Sequence, residues 1–80
     1  MSNKDKITML VAMIENIEYQ QEAEQGIEKF ERLYKLKETD PRDNEVLFYS
    51  LSELQTKITE YKEKLNELKT VYKDLHNMVG

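Results

Sequence analysis

The sequence predicts an all-α protein: two long helices folded back on each other as an antiparallel coiled-coil hairpin, with a second copy completing a four-helix bundle. Three observations carry this. The 80 residues contain only 2 Gly and 1 Pro, and so few breakers favour long uninterrupted helices. Apolar residues in the C-terminal half recur in alternating steps of four and three, the signature of a helical seam. The single proline, Pro41, stands where the two halves meet. The expected organisation is one domain over 1–80, with helix 1 at about 4–37, a turn at about 38–41 and helix 2 at about 41–78.

Helix 2 has the clearer pattern. Asp40 is a good N-cap, Pro41 suits the first helical position, and Asp43 adds charge to the first turn. Its stripe is Leu47, Leu51, Leu54, Ile58, Tyr61, Leu65, Leu68, Tyr72, Leu75 and Val79. In a chain that is 39% apolar, ten filled positions in a row arise by chance on the order of 10⁻⁴ of the time. A period of 3.5 residues describes a coiled-coil seam.

Helix 1 is less regular. Ser2 or Asn3 can cap it, with Asp5 in the first turn. Its apolar stripe runs Ile7, Leu10, Ile14, Ile17, then breaks, then resumes at Ala23, Ile27, Phe30 and Tyr34. Gln20 fills the break if the heptads slip by three residues, a stammer that overwinds the helix locally. Nearby Gly26 weakens the helix by roughly 1 kcal/mol relative to Ala.

Folding one stripe on the other pairs Tyr34 with Leu47, Phe30 with Leu51, Ile27 with Leu54, Ala23 with Ile58, and Gln20 with Tyr61. It then pairs Ile17 with Leu65, Ile14 with Leu68, Leu10 with Tyr72 and Ile7 with Leu75. No layer is skipped, and a short connection forces antiparallel neighbours. Charge agrees with this arrangement. Glu15, Glu18, Glu22, Glu24 and Glu28 of the first helix face a stretch carrying Lys57, Lys62, Lys64 and Lys69, and opposed flank charges fix orientation more than they add stability.

Composition narrows the function classes. There is no cysteine, which removes disulfides, a thiolate nucleophile and a Cys-based zinc site. A net charge of −4 argues against nucleic-acid binding and against anionic membranes. The run Ile7–Ile14 follows Lys4 and Lys6 as in a signal peptide. It is short, however, ends at Glu15 and lacks a small-residue cleavage site, so it is read as part of helix 1. A cytoplasmic location is expected.

Motifs that carry chemistry are missing. The one histidine, His76, lies near the end of helix 2, where a cation suits the helix dipole. Glu15, Glu18 and Glu22 share a face, but no Glu-x-x-His occurs to complete a di-iron site. The acidic run Asp40–Glu45 has neither the spacing nor the central Gly of a calcium loop. No Gly-rich phosphate loop and no Ser/His/Asp set is present. The expectation is a non-enzyme with no catalytic residues, no cofactor, no metal and no small-molecule substrate. Of the five tyrosines, Tyr61 and Tyr72 fill the seam, while Tyr19 and Tyr49 lie off it.

Two resemblances bear on function. The stretch Ser50-Leu51-Ser52-Glu53-Leu54-Gln55 resembles the Ser-Gln-Glu-Leu-Asp motif early in the second helix of the small aspartyl-phosphate phosphatases of sporulating bacteria, which are also short helical hairpins. The motif's Asp position holds Gln55 and its Ser falls on Leu51, so this resemblance implies a hairpin without the activity. Size, layout and the turn Glu38-Thr39-Asp40-Pro41 are similar to type III secretion needle subunits, though one proline of their turn is missing and the Ile7–Ile17 arm is apolar where theirs is polar. That resemblance implies a self-assembling structural subunit.

What remains is surface pattern. In the heptad frame, one edge of the open end gathers Met9, Met13, Val71 and Met78, more apolar surface than two helices can bury. Methionines suit an adaptable interface. The turn end offers a second surplus at Leu36, Val46, Phe48 and Tyr49. The expected function is helix-to-helix protein binding, as an adaptor, inhibitor, chaperone or regulator. The expected partner is another protein or a second copy of the chain, with a homodimer favoured. The alternatives are a structural subunit that polymerises and, behind it, a degenerate phosphatase-like hairpin.

Overall fold

A computed structural model describes residues 2–80. The molecule is all-helical: α1 spans Asn3–Thr39, α2 spans Leu51–Val79, and the two pack against each other as a hairpin measuring 58 × 16 × 14 Å.

α1 opens on Ser2, whose hydroxyl accepts from the Asp5 amide at 3.2 Å, with the Asp5 carboxylate in the first turn. It closes at Thr39 because of Pro41. The ring of a proline disfavours helical backbone in the residue before it, and Asp40 sits accordingly at φ −143°, ψ 78°.

Pro41 therefore ends the first helix and does not begin the second. The expected turn at 38–41 and the expected start of helix 2 at 41 are both corrected: residues 40–50 are non-helical, and α2 begins at Leu51. Three linked turns carry the chain across, with Asp43 N–H donating to Asp40 O, Val46 N–H to Asp43 O and Tyr49 N–H to Val46 O, each at 3.1 Å. The Asp43 side chain also accepts from the Glu45 amide at 2.9 Å. The start signal that wins is Ser50. Its hydroxyl accepts from Glu53 N–H at 3.0 Å while the Glu53 carboxylate accepts from Ser50 N–H at 3.4 Å, a reciprocal capping box. Asp40 makes no comparable cap.

The stripe of α2 faces α1 from Leu54 onward: Leu54 and Ile58 are buried, and Tyr61, Leu65, Leu68, Tyr72, Leu75 and Val79 are half-buried. Leu47 and Leu51, the two positions expected to begin it, stay exposed, Leu47 within the turns and Leu51 as the first residue of α2.

The delayed start also shifts the pairing. Tyr61, expected opposite Gln20, lies against Gly26 and stacks on Phe30 at a ring separation of 5.7 Å. A Cβ on Gly26 would stand 2.7–2.8 Å from the Tyr61 ring. Gly26 is thus the slot that admits the ring, and its cost to helix propensity is offset by that close approach.

The face that α1 turns inward is the largest departure from expectation. Met9, Met13, Asn16, Gln20, Ala23, Ile27, Phe30 and Tyr34 are buried or half-buried. Their spacing is four, three, four, three throughout, so no stammer is needed. The seam is regular because two of its positions are polar. Asn16, only 5% exposed, donates through Nδ2 to the Leu68 carbonyl at 2.9 Å and accepts from Gln20 Nε2 at 2.7 Å. Among the described residues no buried side-chain nitrogen or oxygen lacks a partner.

The dry core lies at the turn end. Phe30, Leu33, Val46, Leu54 and Ile58 form one buried cluster, with Tyr34, Leu36, Tyr49 and Tyr61 around it. Val46, fully buried, drops from the connecting turns into the space between the helices. On the surface, the ion pairs among the described residues are Arg32–Glu45 at 3.1 Å and Lys62–Glu31 at 3.4 Å. All four side chains are more than half exposed, so each pair contributes at most about 1 kcal/mol.

Candidate functional site

The inward phase of α1 decides what is left outside. At 100° per residue, a rigid helix whose seam runs through Met13, Asn16 and Ala23 carries Ile7, Leu10, Val11, Ile14 and Ile17 on a face turned away by roughly 140°. Those five are the large apolar side chains that α1 exposes towards its N-terminus: Ile7 is 61% exposed, Ile14 58%, Val11 48%, Leu10 46% and Ile17 41%. Leu10 and Ile17, the least exposed of the five, sit nearest the α2 side, and Ile7, the most exposed, farthest from it. Beyond Ile17 the same face becomes Glu18, Gln21 and Gln25. The stripe is therefore bounded, about three turns long, with Lys4 and Lys6 at one end and Glu15, Glu18 and Glu22 at the other.

The residues named from sequence fall differently. Met13 is 8% exposed and belongs to the seam, Met9 is half-buried beside it, and only Val71 and Met78 are open to solvent. The four do not make one exposed strip, because Met13 takes the inward position that the sequence pattern gave to Ile14. At the turn end Val46 is fully buried in the core and Leu36 and Tyr49 are half-buried against it, leaving Phe48, 87% exposed, as the outward member of that set. Leu47 and Leu51 are exposed near it.

The signal that locates the Ile7–Ile17 stripe was present in the sequence as the break at Gln20. Two interleaved stripes on one helix read as a single broken one: Met9–Met13–Asn16–Gln20 continues the core phase, and Ile7–Leu10–Ile14–Ile17 is a second, outward row.

Other features of the surface are modest. A shallow recess of about 310 Å³ lies between the helices at Glu31, Tyr34, Gln55, Ile58 and Lys62, with the Glu31–Lys62 ion pair on its wall. Among the described residues, no three His, Cys, Asp or Glu side chains gather closely enough to hold a metal ion, and no helix is long and apolar enough to cross a membrane. His76 sits in the last turn of α2 with its ring 6.4 Å from that of Tyr72. Ser50, at the start of the phosphatase-like stretch, spends its hydroxyl on the helix cap. No protein-family model matches the chain, and no curated protein or solved structure matches it either.

Proposed function

We propose that the protein is a non-enzymatic interaction module that works by helix-to-helix binding, and that its working surface is the outward stripe Ile7, Leu10, Val11, Ile14 and Ile17. The observation that carries this reading is the stripe's exposure at helical spacing on a helix that already has a complete inward seam. Contiguous apolar rows left outside a folded unit mark association surfaces. Helical spacing selects a helix, or a groove between helices, as the complement.

Magnitudes set the kind of complex. Five side chains still about half exposed retain on the order of 1 kcal/mol each of unused burial. A partner bringing a similar row doubles that to about 10 kcal/mol, which falls within the 4–15 kcal/mol cost of association. The stripe alone therefore supports reversible binding, and a tight complex draws on further contacts such as Val71 and Met78. In this role the protein is an adaptor, inhibitor, chaperone or regulator.

The test is site-specific photo-crosslinking in the native host. A photoreactive residue at Ile14 should couple to a protein, whereas one at Thr59, exposed on α2, should couple far less. Equal coupling from both positions removes the stripe as the working surface.

One observation favours a second reading, a self-assembling structural subunit. Apolar surface is exposed at both ends of a 58 Å rod, at Ile7–Ile17 and at Leu47, Phe48 and Leu51. Two different patches that bind each other give open, head-to-tail assemblies. Light scattering that rises without limit with concentration selects this reading, and a plateau selects the first.

A further inference from the structure

We infer that the occupant of the α1 stripe is the same stripe of a second copy, laid antiparallel about a twofold axis. This inference rests on the stripe being the working surface, and it adds the partner, the direction and the register. The spacing Ile7–Leu10–Ile14–Ile17 is three, four, three, which reads the same in both directions. Turned end for end, Ile7 meets the partner's Ile17 and Leu10 meets the partner's Ile14, so every position of the row faces an aliphatic side chain. Any four successive seam positions share this symmetry of spacing; this row differs from the inward seam of α1, with Asn16 and Gln20 in it, in being aliphatic at all four, and the direction of the pair is set by charge.

Charge fixes the same arrangement. Lys4, Val11 and Glu18 lie seven apart along one flank of the row. In an antiparallel pair of helices this flank faces itself across the twofold axis. Lys4 then meets the partner's Glu18 twice, once on each side of the axis, and Val11 meets the partner's Val11 at the centre. All three are exposed, and among the described residues neither Lys4 nor Glu18 has an ion-pair partner within the chain. A parallel pair would instead bring the acidic ends Glu15, Glu18 and Glu22 of both copies together, which repels. The resulting assembly has the two α1 helices at its centre and the α2 helices outside.

The test uses the full chain, which has no cysteine of its own. Ile7→Cys protein and Ile17→Cys protein are made separately, and circular dichroism confirms that each stays helical. Both sites are exposed, so folding tolerates them. Within one helix the two positions stand about 15 Å apart, too far for a disulfide inside a chain. Under mild oxidation the mixture should form disulfide-linked dimers at least about tenfold faster than either variant alone. Sedimentation should show that Lys4→Glu or Glu18→Lys alone weakens the wild-type dimer by about tenfold, and that the two together restore it.

Either variant alone linking as fast as the mixture overturns the register. A wild-type protein that stays monomeric at high micromolar concentration overturns the second copy as occupant. If in that case a crosslinker at Ile14 still captures a different protein, the stripe stands as the working surface and only this inference falls. If Ile14 captures nothing, both fall.

Discussion

The two ends of this hairpin dispose of their apolar side chains in opposite ways. At the turn end Phe30, Leu33, Val46, Leu54 and Ile58 close into a dry cluster. At the open end α1 meets α2 through Met13 and the hydrogen-bonded Asn16, while its isoleucines stay outside. The open-end stretch of α1 is the more apolar of the two, so composition does not explain the contrast. Phase does. The aromatic and aliphatic layer at Phe30 and Leu33 sets which way α1 faces, and a regular helix carries that orientation to its N-terminus, since a three-residue slip would have to overwind it. The open end accepts a polar seam as the consequence, and its best apolar row becomes surface.

The sharpest way to break this contrast is to hollow out each end in turn. Leu54→Ala should cost about 2–5 kcal/mol in urea unfolding, as for a fully buried leucine. Ile14→Ala, measured at concentrations too low for association, should stay within about 0.5 kcal/mol of wild type. Comparable losses from both would mean that Ile14 is part of the hairpin's own core.

A smaller effect is expected at the slot between the two ends. Gly26→Ala gains roughly 1 kcal/mol of helix propensity but drives a methyl into the Tyr61 ring, and overpacking of this kind costs about 1–3 kcal/mol. The net result should be destabilising in the wild type. In a Tyr61→Leu background the same change should become stabilising. A Gly26→Ala effect of the same sign in both backgrounds would show that the ring does not depend on the glycine.

The polar seam gives a third comparison. Removing both partners of a buried hydrogen bond is close to neutral or favourable, whereas removing one leaves the other unsatisfied. Asn16→Leu with Gln20→Leu should therefore raise stability by about 1 kcal/mol and slow amide exchange over residues 9–20. Gln20→Leu alone should gain less, because it takes the donor from Asn16 Oδ1. No change in exchange from the double variant would place the polar pair outside the seam.

At the connection, Ser50→Ala should cost about 1 kcal/mol by removing the cap of α2. Asp40→Ala should change stability by less than about 0.5 kcal/mol. Thermal unfolding of the pair distinguishes the two candidate helix starts directly, and the reverse ranking would return the start of α2 to Pro41.

The parts of the molecule that were legible in the sequence are those where a single pattern was on offer. From Leu54 to Val79 every seam position of α2 is apolar and no rival row exists, so its inward face follows from spacing alone. In α1 two rows compete, and hydrophobicity favours the wrong one. Only the packing around Phe30 and the Asn16–Leu68 hydrogen bond select the other, and neither is a local property of the chain. The start of α2 was ambiguous for a similar reason. Asp40-Pro41 and Ser50-x-x-Glu53 are both good opening signals, and the first is lost because the same proline terminates α1. Val46 and Leu47 are neighbours of nearly equal hydrophobicity, and which one enters the core depends on the exact course of three successive turns. Of the surface residues expected from sequence, Val71, Met78 and Phe48 are outside, but Met13 and Val46 are inside, and the Ile7–Ile17 row, expected in the core, is outside.

The Val46 plug has a consequence for the order in which the hairpin assembles. Its neighbours Phe30, Leu33, Leu54 and Ile58 lie close to it along the chain, and short loops close early because closure entropy grows with loop length. The turn end is then the folding nucleus, and the helices zip from it towards the termini. Val46→Ala should slow folding, while Met9→Ala should chiefly speed unfolding. The outward isoleucine row rides on the last stretch to close and the first to fray. Whatever seats on it acts as a clasp on the free ends, lengthening the lifetime of the folded hairpin without hastening its formation.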